Sequence, residues 1–177
     1  MRDSPPRVDH AKSVDELSKL GLRVYKPYEL KEQVAVFGDF RVQTMTVPHG
    51  ECECHAFYIK VAGRKILYAT DFEYFPYRME KIGLTDIIVE CNYQTKYLDM
   101  DADNIMHKVT GHCELETCKD FVSTNATDAL STVILTHLGV GTCDGNECVS
   151  EIKKVVNEGV TVDYARAGET YILDKEN

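Results

Sequence analysis

The sequence predicts an α/β layered fold, in which helices cover a β-sheet. The first half is rich in β-forming runs, at residues 34–47 and 56–69. The second half alternates apolar strand-like runs with helical segments, beginning with TDIIVECN at 85–92. Such an order of elements is typical of a sheet with helices packed against it. A length of 177 residues suits one domain, so a single domain over 1–177 is expected.

The amino-terminal segment is predicted to contain one helix and one short strand. Residues 1–8 carry a Pro-Pro pair and are expected to form an irregular lead-in. Ser13 and Glu16 have the spacing of a capping box, which indicates that a helix begins there. Gly21 is expected to end this helix, and residues 22–25 to form the strand.

The remaining elements follow from hydrophobic periodicity and turn residues. The dipeptide Ala62-Gly63 between two alternating runs predicts a hairpin. The apolar runs at 85–92 and 131–137 predict buried strands. The closing stretch VTVDYARAGETYIL predicts two short strands around Gly168. Helices are predicted at 77–82, 93–109, 113–124 and 144–158.

Composition and charge narrow the classes of partner. The net charge of −9, from 29 acidic and 20 basic residues, opposes the counterion release that drives most nucleic-acid binding. No apolar run reaches the roughly 20 residues that span a bilayer, and no segment resembles a signal peptide. Seven cysteines without such a signal favour reduced thiols. A cytoplasmic protein without membrane contact is therefore expected.

Potential metal ligands stand directly after predicted strands. His49, Asp71 and His137 each follow a β-forming run, and the pair Asp9-His10 precedes the first predicted helix. Loops beyond strand ends are where α/β folds build their sites. Imidazole and carboxylate groups held on such rigid elements suit divalent metal ions. These five side chains are therefore candidate ligands of one metal site, although a single histidine at a strand end is more often a surface or hydrogen-bonded residue.

Five segments resemble, in order, the motifs of the metallo-β-lactamase fold superfamily, especially its phosphodiesterase- and nuclease-like branch in bacteria and phages. They are VDHAKSVDELSKLGLRVY, VPHGECECHAFYI, KILYATDF, GHCELETCKDF and VILTHLG. The resemblance runs from about residue 8 to 173. It implies that Asp71 orients a metal-bound water and that His112 donates a proton to the leaving oxygen. Zinc or manganese is the implied cofactor.

The sequence also departs from the family pattern near its amino-terminal end. Two family histidines fall on Pro5 and Arg7, and the family's leading strands are not found ahead of them. The expected architecture is a truncated metallo-β-lactamase-type layered sandwich, αβ/βα, with one sheet shortened. The first metal keeps only His49 and a share of Asp71. The second metal keeps all four of its ligands, which are Asp9, His10, Asp71 and His137. One ion per chain is therefore expected, with little effect of His49→Ala.

Several cysteines and histidines leave alternatives open. Cys52, Cys54 or His55 could replace the lost ligands of the first site, although a tight β-bend with buried thiols is the more common explanation of such a cluster. His107 is interpreted as a helix-surface residue. The aromatic run FEYFPY at 72–77 is interpreted mainly as loop packing, with base stacking as the alternative. The other cysteines are interpreted as small core residues: Cys91, Cys113, Cys118, Cys143 and Cys148.

Two functions follow as expectations. The first is a metal-dependent hydrolase that acts on a phosphodiester, with a small nucleotide as substrate because the protein is acidic. The second is an inactive binding protein on the same scaffold, such as a phage counter-defence inhibitor of a host nuclease system. Missing strands would leave a sheet edge and apolar surface uncovered, so a homo-oligomer or a complex with a host protein is expected.

Overall fold

The computed structural model describes residues 32–173, together with residues 19, 20, 26 and 29. The strands are β1 (Val34–Phe37), β2 (Phe40–His49), β3 (Cys52–Val61), β4 (Arg64–Ala69), β5 (Asp86–Glu90), β6 (Thr132–Thr136) and β7 (Thr161–Tyr164). The helices are α1 (Ile105–Gly111), α2 (Leu115–Asn125) and α3 (Gly145–Lys153). The predicted capping box, the strand at 22–25 and the Asp9-His10 pair lie outside the described residues.

The seven strands form one mixed sheet in the order β1-β2-β3-β4-β5-β6-β7. Strands β1 to β4 pair antiparallel, whereas β4 to β7 pair parallel. Strand β2 is two antiparallel steps from β4 and so runs in the same direction. The carboxyl ends of β2, β4, β5 and β6 therefore meet at one edge of the sheet. The predicted α/β class is confirmed.

Tight turns explain the antiparallel half. The predicted hairpin at Ala62-Gly63 is confirmed: both residues have positive φ, 47° and 76°, as a type I′ turn requires. The run at 34–47 is also interrupted by a hairpin, because Phe37 pairs with Phe40 across a turn that contains Gly38. Gly38 has φ 56°, a conformation that glycine adopts without steric cost.

One face of the sheet forms the core together with α2 and α3. Leu67, Ile87 and Val89 on the central strands are completely buried in this cluster. Val122 of α2 and Ile152 of α3 belong to the same cluster. Strands buried under helices need apolar residues at successive positions, which is why 85–92 and 131–137 were recognisable as strands. They form β5 and β6.

The predicted helix at 93–109 is wrong over most of its length. Thr95–Tyr97 is a single turn of 3₁₀ helix, and α1 begins only at Ile105. The acidic stretch between them forms turns, in which the Asp99 carboxylate accepts a hydrogen bond from the Asp101 N–H at 3.0 Å. Aspartate side chains that bond nearby backbone groups compete with helix formation in this way.

Two further predictions need correction toward the carboxyl end. Helix α3 ends at Lys153 rather than near 158. Of the two strands predicted around Gly168, the structure forms only β7, and residues 165–173 contain no strand. The Tyr171 hydroxyl instead donates to the Tyr164 carbonyl at 2.8 Å, which ties this segment to β7 by a side chain. Within the part of the chain that is described, no helix is long and apolar enough to cross a bilayer.

Candidate metal and catalytic site

The carboxyl-end edge of the sheet gathers four polar side chains. His49 is the last residue of β2 and Glu90 the last of β5, while Asp71 is the second residue after β4 and His137 the first after β6. Asp71 and His137 have φ of 56° and 52°, in the left-handed region. Such a backbone conformation costs about 1–3 kcal/mol in a non-glycine residue and is concentrated at functional sites. The strand ends thus aim these groups at a common space.

Helix α1 adds two more histidines to this edge. His112 caps the carboxyl end of α1, and its ring centroid lies 5.0 Å from that of His49 and 5.1 Å from that of His137. His107, one turn earlier on α1, lies 5.3 Å from His112 and 5.5 Å from His49. His112 is therefore the centre of a cluster of four imidazoles.

Glu90 connects two of these imidazoles. Its carboxylate is completely buried and accepts a hydrogen bond from His112 Nδ1 at 2.6 Å. The same oxygen lies 3.2 Å from His137 Nδ1, and the other accepts the Phe72 N–H at 3.2 Å. Burial raises the pKa of Glu90, but the hydrogen bonds and charges of the two histidines outweigh burial and leave that pKa below its ordinary value. Glu90 is thus held as a buried carboxylate.

The hydrogen bonds fix which nitrogen of each ring remains available. A carbonyl or carboxylate oxygen only accepts, so Nδ1 carries the proton in His112, facing Glu90, and in His49, facing the Gly111 carbonyl. His137 Nδ1 faces Glu90 as well. Each ring therefore keeps Nε2 for another partner. Metal-binding histidines are oriented in the same way, with the second nitrogen bonded to a carboxylate or carbonyl.

Two groups of three donors can be drawn from this cluster. One is Asp71, His112 and His137, and the other is His49, His107 and His112; within each group, one ligand atom per residue lies within 4.8 Å of the others. Asp71 Oδ1 and His137 Nε2 are 3.8 Å apart. Two donors on one zinc ion are roughly 3.4 Å apart, given bonds of about 2.1 Å and tetrahedral angles. The donor chemistry and spacing therefore fit a divalent ion.

Neighbouring groups shift the pKa of two histidines in opposite directions. The hydrogen bond to Glu90 raises the pKa of His137, and the negative charge of Asp71 adds to this despite partial burial. Burial lowers the pKa of His107, and the charges of His112 and His49 lower it further. His137 therefore lies on the side of the cluster that carries the carboxylates of Glu90 and Asp71. Their negative charge favours a bound cation there.

The structure brings together most of the predicted site. His49, Asp71, His112 and His137 converge, whereas the placement of the Asp9-His10 pair is outside the described residues. His49 is not isolated, as the ligand count had suggested, because α1 places His107 and His112 beside it.

The suggested substitute ligands do not join the cluster. Cys52, Cys54 and His55 lie along strand β3, where successive side chains point to opposite faces. Cys54 is buried in the core and Cys52 is exposed. Among residues 32–173, the ligand groups include none of the three.

Two members of the cluster were missed from the sequence. Glu90 ends a buried apolar run, the same pattern that marked Asp71 and His137, so this signal was present. His107 was interpreted as a helix-surface residue, and it is exposed. Its contact with His49 depends on how α1 lies against β2, which no local pattern in the sequence reveals.

The aromatic run after Asp71 mainly packs on the protein. Phe72 is completely buried and lies edge-on to Phe75, which also packs on Phe121 of α2. The Tyr77 hydroxyl donates to the Thr46 carbonyl at 2.9 Å, while Tyr74 is half exposed. These contacts favour the loop-packing interpretation over base stacking.

Comparison with solved structures shows that the chain has the metallo-β-lactamase fold. The Bacillus subtilis metallo-β-lactamase fold protein YhfI matches with a TM-score of 0.59 at 20% identity, over 89% of this chain and 60% of that protein. A diphosphatase of the PhnP family matches at 0.52 and 13% identity, over 86% and 51%. Unliganded yeast PDE1 matches at 0.54 and 14% identity, over 82% and 48%.

The chain spans about half to three-fifths of the length of these structures. Identities this low establish the fold alone. No family model matches the sequence, and no curated protein matches it significantly.

Proposed function

We propose that this protein is a metal-dependent hydrolase of the phosphodiesterase class that binds one zinc or manganese ion per chain. The observation that carries the proposal is the convergence of Asp71, His112 and His137, with the two imidazoles oriented by one buried carboxylate, Glu90. A buried carboxylate is the usual partner of an imidazole that binds metal or moves protons. The fold, shared with proteins described as a diphosphatase and PDE1, supports the same class.

Asp71 and His137 are the proposed ligands at the strand ends. Their donor atoms have the spacing of two ligands on one ion, and both residues are fixed by the backbone of the sheet edge. Asp9 and His10 remain proposed further ligands from the resemblance alone. A bound zinc or manganese ion would supply Lewis acidity, which activates water and polarises a phosphoryl oxygen. Asp71 would in addition orient the attacking water.

His112 is the proposed proton donor to the leaving oxygen. Its Nδ1 donates to Glu90, so Nε2 is the nitrogen that would pass a proton to the leaving oxygen. The side chain is only 12% exposed, which limits competition from water. Glu90 positions His112 rather than reacting itself. A small substrate such as a nucleotide suits a protein with a net charge of −9 better than long duplex DNA.

The proposal is tested by measuring metal content and hydrolysis on the same preparation. Protein purified without chelator is analysed by mass spectrometry for metal, then assayed on a bis-aryl phosphodiester. After chelator treatment and reloading with manganese, which histidine and carboxylate ligands accept, we expect about one ion per chain. We also expect activity that a chelator removes and that zinc or manganese restores. Protein that neither retains nor binds either ion would contradict the metal site, and a metal-loaded protein without hydrolysis would contradict the catalytic part alone.

Replacing His112 separates the two roles that its position allows. We expect His112→Ala to retain the ion while hydrolysis falls by about 10²–10⁴-fold, the usual contribution of a general acid. Glu90→Gln should also lower turnover, because it weakens the hydrogen bond that orients the His112 ring. His55→Ala on β3 is the control, since it lies outside both ligand groups. Loss of the ion from His112→Ala would show that His112 is a ligand instead.

The second candidate is the inactive binding protein, such as an inhibitor of a host nuclease system. The excess of negative charge favours it, because an acidic surface can occupy a basic groove that normally holds nucleic acid. Stoichiometric binding to a basic nuclease partner, combined with absence of hydrolysis by metal-loaded protein, would support this function over the first.

A homodimer is the assembly we propose. The edge hairpin exposes Val36 by 65% and Phe40 by 43%, and Tyr68 on β4 is exposed by 39% beside Phe57. Apolar side chains at the edge of the sheet, where β1 is the outermost strand among the described residues, together invite a partner surface. We expect light scattering to give twice the chain mass and Val36→Lys to reduce it. A stable monomer at high concentration would contradict this expectation.

A further inference from the structure

A second cluster of potential ligands lies apart from the histidines, and it consists of thiols. The Sγ atoms of Cys91, Cys143 and Cys148 lie within 4.8 Å of one another, and those of Cys143 and Cys148 are 3.2 Å apart. Cys91 follows β5, Cys148 lies in α3, and Cys143 directly precedes the capping residue of that helix, Asp144. Three separate positions of the chain thus place sulfur atoms at one point.

The spacing of these sulfur atoms suits a shared cation. Two thiolates on one zinc ion are roughly 3.8 Å apart, given Zn–S bonds of about 2.3 Å and tetrahedral angles. The one separation of 3.2 Å and the limit of 4.8 Å for the other two pairs are compatible with this value. Cys91 and Cys148 are completely buried, whereas Cys143 is half-buried, so one side of the cluster reaches solvent. That side offers an entry path for an ion.

The surroundings also suit a site with excess negative charge. Lys108 of α1 donates to Asn92 Oδ1 at 2.9 Å and to Thr142 Oγ1 at 3.2 Å, next to Cys143 in the chain. Three thiolates with one divalent ion carry a net charge of −1, which a nearby lysine ammonium offsets. The Lys108 side chain is held in place by these two bonds.

We propose that Cys91, Cys143 and Cys148 form a second metal site, specific for a thiophilic cation such as zinc and distinct from the histidine–carboxylate site. Thiolate ligands select soft or borderline ions, whereas the histidine and carboxylate donors also accept manganese. The site is structural in kind, because two of its three ligands, Cys91 and Cys148, are completely buried. It goes beyond the proposed hydrolase function and does not depend on it.

An ion here would fasten the loop after β6 to the end of β5. Cys143 belongs to that loop and Cys91 to the end of β5, and the Asn92 side chain already donates to the His137 carbonyl at 2.7 Å. Crosslinking the two segments through sulfur would hold the backbone of His137 close to Glu90. Zinc bound at the thiols should therefore raise the unfolding temperature even when the histidine site cannot bind.

Cobalt(II) substitution tests this site by a signal that only thiolates give. Reduced, chelator-treated protein is titrated with cobalt(II), and the ultraviolet thiolate-to-cobalt charge-transfer absorption is followed. We expect the band to saturate at about one equivalent in His137→Ala, and between one and two equivalents in the unmodified protein, whose histidine site also binds cobalt(II). The band should be absent from Cys143→Ser and Cys148→Ser. Cys52→Ser, an exposed cysteine outside the cluster, is the matched control and should keep the band.

Several results would overturn the proposal. One is absence of the band from the unmodified protein, and another is a band of full intensity in a folded Cys143→Ser variant. A third is a mass 2 Da lower in air-exposed protein without cobalt binding after reduction, which would mark Cys143 and Cys148 as a disulfide pair. Far-ultraviolet circular dichroism checks that each variant is folded. Cys143→Ser is the primary variant, because Cys143 is only half-buried.

Discussion

Asp71→Ala and His137→Ala are each expected to abolish binding of the ion at the histidine–carboxylate site and to reduce hydrolysis to background. Each change removes one of few donors and leaves a water in its place, which lowers affinity steeply. The paired geometry sharpens the effect, because Asp71 Oδ1 and His137 Nε2 face each other at 3.8 Å. Isothermal titration with manganese measures the loss, since manganese does not favour the thiol cluster.

His49→Ala is the variant whose metal affinity is compared with that of Asp71→Ala and His137→Ala. His49 lies in the other ligand group, so we expect a weakened but measurable affinity. Equal losses from His49→Ala and His137→Ala would instead place the ion among His49, His107 and His112. Affinity should also fall as the pH is lowered, because imidazoles must be deprotonated to bind metal. The pKa of His137 is raised above its ordinary value of about 6.5, so the fall should begin above that pH.

Arg64→Ala is expected to destabilise the fold by about 3–5 kcal/mol, the usual cost of leaving one partner of a buried ion pair alone. Arg64 begins β4 and pairs through two nitrogens with Asp86, the first residue of β5; its Nε donates at 2.8 Å. The Asp86 side chain is completely buried, and within residues 32–173 its further donor is the Thr85 hydroxyl, at 2.7 Å. Urea unfolding followed by circular dichroism measures the change.

Two variants serve as controls for this prediction. Lys96→Ala breaks the exposed pair with Glu147 and should leave the unfolding midpoint unchanged, because exposed ion pairs contribute little. The double change Arg64→Met with Asp86→Leu removes both charges together and should recover most of the lost stability. A small effect of Arg64→Ala, equal to that of Lys96→Ala, would show that water reaches Asp86 and screens its charge.

The sequence was sufficient for features that depend on local chemistry. The Ala62-Gly63 turn was predictable because its two residues tolerate the required positive φ and the flanking runs alternate. Strands β5 and β6 were predictable because burial on both sides demands continuous apolar residues. The positions of His49, Asp71, His112 and His137 followed from ordered motifs that resemble a known fold superfamily.

The predictions that failed concern segments whose structure depends on competing hydrogen bonds or on contacts between residues far apart in the sequence. The segment at 93–109 has no glycine or proline to end a helix, yet its aspartates bond the backbone and turn the chain before Ile105. The second predicted strand near Gly168 is lost because Tyr171 satisfies the Tyr164 carbonyl with a hydroxyl rather than a ladder. His107 and the thiol cluster belong to the tertiary structure, because each forms only when separate segments pack together.

The left-handed backbone at Asp71 and His137 sets stability against the proposed chemistry at two positions of this chain. Glycine would occupy either position with less strain, because it has no Cβ. The same change would remove a donor atom from the proposed metal site. A relaxed backbone and a full set of ligands therefore exclude each other at these two strand ends, a trade-off between stability and activity that is common at functional sites.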